Sequence, residues 1–79
     1  MTDLKETLSN IAKAIVDSPD EVVVCETTEG KKVNLVLTVA EDDMGMVIGK
    51  HGKIAKAIRS IMKIAAVREN KKVVVDIIG

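Results

Sequence analysis

Leu4, Leu8, Ile11 and Ile15 recur at intervals of four, three and four, which keeps them on one stripe of a helix, and Asp3 with Glu6 has the spacing of an acidic N-terminal cap. Ser18-Pro19 ends this helix, because the residue before a proline is pushed out of helical conformation. Residues 22–28 (VVVCETT) are rich in β-branched side chains and predict a strand, and Glu29-Gly30 predicts a tight turn into a second one. There Val33, Leu35, Leu37 and Val39 alternate with Asn34 and Thr38, so one face is buried, while Val36 suggests partial cover on the other. A short apolar stretch, Met44 to Ile48, predicts a short helix, and a long one runs from Lys53 to about Glu69. Asn70-Lys71 breaks it before a last strand, 72–78 (KVVVDII).

The predicted order is helix, strand, strand, helix, helix, strand. A tight turn makes the first two strands antiparallel, whereas two intervening helices make the second and third parallel through a right-handed crossover. The expected fold class is α+β: a three-stranded mixed sheet with three helices on one face, with residues 1–79 as a single domain.

Composition narrows the function. The chain has no Phe, Tyr or Trp, which excludes modules that grip nucleic acid by stacking bases on aromatic rings. One Cys (Cys25) and one His (His51) supply neither an internal disulfide nor a structural zinc site, and Cys25 reads as packing on a strand. The longest apolar runs, such as Val22 to Cys25, are four residues, far short of a membrane span or a signal-peptide core, so a reduced, cytoplasmic protein without cofactor or metal is expected. Net charge is zero, yet residues 1–49 carry −6 and residues 50–79 carry +6. Glu41, Asp42 and Asp43 fall where a helix begins and read as a cap and dipole partner rather than as an acid/base pair.

The basic half starts at Gly49-Lys50-His51-Gly52. Two glycines three apart at a helix–helix junction allow a sharp turn and close approach of a ligand, and the following helix N-terminus, beside Lys50, His51 and Lys53, attracts phosphate. A Walker loop fails on spacing, because Gly52-Lys53 is followed by Ile54 rather than Ser or Thr, and a dinucleotide fingerprint fails for want of a third glycine and a preceding strand. A helix-turn-helix is disfavoured by the flanking strands and the glycine-bounded turn.

The string from Val47 to Ile54, Val-Ile-Gly-x-x-Gly-x-Ile, resembles the signature of the K-homology (KH) domain, and the element order resembles its bacterial, type II arrangement. Nearly the whole chain is similar to the small stand-alone KH proteins of bacteria, the KhpA (YlqC-like) family, including AEDDMGMVIGKHGKIAKAIRSIMKIAA and the ending KKVVVDI. The resemblance implies a non-enzymatic RNA-binding protein, acting as an RNA chaperone or post-transcriptional regulator. Gly49 and Gly52 would then contact the backbone of single-stranded RNA, with Lys50, His51 and Lys53 near its phosphates and Gly45, Ile48 and Ile54 lining an aliphatic groove for bases. His51 is mostly uncharged at neutral pH and adds less than a second lysine would.

On a helical wheel the apolar residues from Ile54 to Ala66 span about 200°, where one packing face needs roughly 100°. The excess predicts a protein–protein seam involving Ala57, Ile61, Met62 and Ile64, with either the Ala57–Ile61–Ile64 edge or the Met62–Ala66 edge available. The resemblance implies a homodimer, or pairing with a larger KH protein of the KhpB (Jag) type. The alternative function is an interaction adaptor with a vestigial nucleic-acid groove.

Overall fold

The computed structural model describes residues 3–78, and the side chains of all of these except Lys50 and His51. Helix α1 spans Leu4–Ile15, strand β1 Val23–Glu29, strand β2 Lys32–Thr38, helix α2 Glu41–Arg68 and strand β3 Lys72–Ile78. A turn of 3-10 helix at Pro19–Glu21 joins α1 to β1. The sheet order is β1-β2-β3, with β1 and β2 antiparallel and β2 and β3 parallel, as the connection lengths require.

The ends of these elements follow from particular residues. The Asp3 carboxylate accepts from the Lys5 backbone N–H at 3.0 Å and caps α1. The hairpin closes from the Glu29–Lys32 pair through Gly30-Lys31, and Gly30 sits at a φ of 60°, where its missing Cβ removes the steric penalty. Helix α2 ends in a Schellman arrangement: Asn70 takes a φ of 57°, its N–H donates to the Val67 carbonyl, and the Lys71 N–H donates back to Ala66.

The two helices expected on either side of the glycines form one hydrogen-bonded run, α2, interrupted in its backbone at Gly52, whose φ is 66°. A left-handed residue cannot continue a right-handed helix, so α2 consists of two segments that change direction there. Length agrees, since a straight helix of 28 residues would span about 42 Å. The longest dimension of the molecule is 34 Å.

Helix α1 lies over β1 and β2, α2 lies over β3, and both cover the same face of the sheet. Val24, Val33, Leu35, Leu37 and Val75 face inward against Leu8, Val47, Ile58 and Met62. On α1 the buried line is Leu4, Leu8 and Ala12, with Ile11 and Ile15 half-buried beside it. The opposite sheet face is open, with Val23 and Val74 exposed and Val36 half-buried.

One polar contact holds the first segment of α2 to the rest. Asp43, only 3% exposed, accepts from the backbone N–H groups of Asp17 at 3.2 Å and Ser18 at 3.1 Å. The acidic run expected to cap its own helix therefore sends one carboxylate across to the loop after α1, where it accepts from two backbone N–H groups that lie beyond the helix end.

Candidate nucleic-acid interface

The glycine turn sits where α2 changes direction. Among the described residues, a Cβ added at Gly45, Gly49 or Gly52 would meet nothing within 4 Å. Gly52 is required by its backbone, but Gly45 and Gly49 have ordinary helical φ and no crowding neighbour, so nothing inside the fold demands glycine there. Gly45 is exposed and Gly49 half-exposed, leaving bare backbone open to approach from outside. Ile48 is exposed beside them, whereas Ile54 is half-buried against the core and can offer a ligand only part of its side chain. Lys53 is exposed at the start of the second segment. The side chains of Lys50 and His51 lie outside the described residues.

From this turn Lys53, Lys56, Arg59 and Lys63 follow at intervals of three, three and four along one side of the second segment. The stripe leads into a groove of about 820 Å³ between the end of α2 and β3. Lys32, Arg59, Lys63, Lys71 and Lys72 supply its cations, with Asp76 as the single carboxylate among the lining residues. The apolar lining comes from Ala66, Val67 and Val73 to Val75.

Strand β3 is a sheet edge, and its hydrogen bonds show which groups remain free. The Lys72 N–H donates to Lys31 and the Ile78 carbonyl accepts from Val39, so the even-numbered residues of β3 face β2. Alternation then turns the main-chain groups of Val73, Val75 and Ile77 to the open edge. Arg59 confirms the phase, since its Nε donates to the Val75 carbonyl at 3.2 Å.

The sequence model of the "KhpA/KhpB, KH domain" family matches residues 5–77. The chain belongs to this KH-domain family. Proteins described as "RNA-binding protein KhpA" from Clostridium acetobutylicum and Clostridium perfringens are 59% and 53% identical to it over 75 residues, covering 95% of this chain and all of each relative. One of the same description from Caldanaerobacter subterraneus subsp. tengcongensis is 51% identical over 73 residues, covering 92% of this chain and 97% of that relative.

Against this KH frame, the expected seam separates into two kinds of residue. Met62 is fully buried and Ala66 nearly so, because the side of the helix carrying Ala55, Ile58, Met62 and Ala66 faces the sheet. The Met62–Ala66 edge is core and drops out of any seam. Ala57 is exposed, Ile61 is 46% exposed and Ile64 is 61% exposed, all on the flank away from the basic groove. Sequence reasoning missed the groove along β3. Its one signal in the sequence is the spacing of Lys56, Arg59 and Lys63, and the free edge of β3 becomes visible only once strand order is known. Cys25 is exposed on the open sheet face rather than packed, and no helix among the described residues is long and apolar enough to cross a membrane.

Proposed function

We propose that this chain is a non-enzymatic RNA-binding domain that grips single-stranded RNA with the Gly49–Gly52 turn and guides it along Lys53, Lys56, Arg59 and Lys63 into the groove beside β3. The observation that carries this reading is the exposed, uncrowded backbone at Gly45 and Gly49 in a helix that continues into the basic groove. Gly45, Ile48 and Ile54 form the aliphatic approach, and Lys50 and His51 meet phosphate at the turn. The names of the relatives favour RNA as the ligand. A role as RNA chaperone or post-transcriptional regulator in the cytoplasm is part of the same proposal, with residues 1–79 acting as one KH domain.

We further propose that Ala57, Ile61 and Ile64 form a seam for a second copy or for a KhpB (Jag)-type protein. This seam favours one other reading, an adaptor whose groove is vestigial. RNA affinity measured against salt separates the two. A clamp on four nucleotides engages about three phosphates, so log affinity should fall against log salt with a slope near −2, a loss of roughly 15-fold between 50 and 200 mM. Absence of salt-sensitive binding to any single-stranded RNA would leave the adaptor reading.

A further inference from the structure

We infer that Arg59 selects the base in the groove, reading guanine through its terminal guanidinium nitrogens. The inference rests on the groove being the RNA site, and it adds a specificity that a phosphate clamp lacks.

The geometry separates Arg59 from the lysines around it. Its Nε is bound to the Val75 carbonyl on the free edge of β3, while the two terminal nitrogens have no hydrogen-bond partner among the described residues. A guanidinium is planar, so one bond at Nε fixes the plane and direction of the remaining fork. That fork presents two parallel donors to a pair of neighbouring acceptors, the arrangement that O6 and N7 of guanine offer on one edge. Adenine places a donor beside its N7 and uracil sets an N–H between its two carbonyl oxygens, while cytosine, whose O2 and N3 are also neighbouring acceptors, is the base to set against guanine in the test.

The surroundings favour a base over a phosphate at this point. Arg59 is held at the Val75 carbonyl in a groove whose accessible apolar lining is Val67, Val73 and Val74, on which a base can lie without aromatic partners. Lys32, Lys63, Lys71 and Lys72 supply charge for the backbone around it. Main-chain groups of Val73 and the N–H of Val75 lie at the same open edge, available to the other polar atoms of a base placed there.

The test compares the parent with Arg59→Lys on oligouridine octamers carrying one guanosine or one cytidine at each position in turn, against the all-uridine octamer. Arg59→Lys keeps the charge and loses the planar fork. The parent should prefer an octamer with one guanosine by about tenfold, and Arg59→Lys should lose that preference. A second measurement leaves the protein untouched: 7-deazaguanosine, which lacks the N7 acceptor, should weaken binding by the parent and leave Arg59→Lys unaffected. A parent that binds all octamers equally or prefers cytidine, or an Arg59→Lys that keeps the guanosine preference, overturns the inference while leaving the RNA clamp standing. Weakening of every octamer to the same degree by Arg59→Lys also overturns it, since Arg59 would then act on the backbone shared by all of them. A parent with no salt-sensitive binding to any octamer overturns the RNA clamp and this inference together.

Discussion

The two flanks of the second segment of α2 share one backbone and face opposite ways. One carries Lys56, Arg59 and Lys63 and borders the groove along β3; the other carries Ala57, Ile61 and Ile64 and is left open among the described residues. Between them Ile58, Met62 and Ala66 fill the core. The charged flank is concave because an edge strand and a lysine-rich connection stand opposite it. The apolar flank protrudes, with Ile64 61% exposed, more than a solvated helix needs. The difference teaches that the wide apolar arc is two surfaces: a core line that holds the fold and an adjoining line that the fold leaves free.

The largest effect should come at the turn that feeds the charged flank. Replacing Lys50 and His51 by aspartates changes the local charge from about +1 to −2 and puts repulsion at a helix N-terminus where phosphate is proposed to bind. RNA binding should be lost in a filter or fluorescence assay, while the circular dichroism spectrum and the oligomeric state stay as in the parent. Loss of the oligomer as well would break the separation of the two flanks, and retained RNA binding would sink the clamp.

Next in size is the contrast between the core line and the free line. Met62→Ala removes a fully buried side chain and should cost about 2–5 kcal/mol in denaturant unfolding. Ile64→Ala, two residues further along the helix but exposed, should change stability by no more than about 0.5 kcal/mol. Similar costs at both positions would mean that the apolar flank is covered in solution even at low protein concentration.

Ile61→Asp addresses that cover directly. Ile61 is 46% exposed, so a carboxylate there can stay solvated and the fold should survive, but an apolar seam would be opened. Sedimentation should show a monomer where the parent self-associates. Affinity for a long RNA should drop by about tenfold or more while affinity for a tetranucleotide is unchanged, because two weak grooves no longer act at a shared effective concentration. A parent that is already monomeric at tens of micromolar would give the seam to a different protein.

How much of this was legible in the sequence differs by residue. Strand order and the parallel pairing followed from connection lengths, and the alternation of Val33, Leu35 and Leu37 fixed which face of β2 is buried. The wheel counted too much apolar surface but could not tell Met62 from Ile64, because the rotation of a helix about its axis is set by what it packs against. Asp43 read as a cap for its own helix, since local spacing carries no sign of a loop 25 residues away that needs an acceptor. The groove was illegible for the same reason: Arg59 and Val75 meet only through tertiary structure.

The smallest effect is the most discriminating, because stability and binding should move in opposite directions. Gly49 and Gly52 bound the same turn, yet Gly52 sits at a φ of 66° while Gly49 lies in helical backbone with open space where a Cβ would be. Gly52→Ala should destabilise the domain by about 1–2 kcal/mol, the cost of a side chain in left-handed backbone. Gly49→Ala should stabilise it by about 0.5–1 kcal/mol, because alanine loses less conformational freedom in a helix, and should raise Tm by about 2–8 °C. If RNA approaches this backbone, the added methyl group of Gly49→Ala occupies the contact surface and weakens binding in the more stable protein. Calorimetry and RNA titration on the two variants check both signs. A Gly49→Ala protein that is more stable and binds RNA as well as the parent would show that the bare backbone at Gly49 is no contact surface, and would confine the clamp to the charged side chains and the groove beyond them.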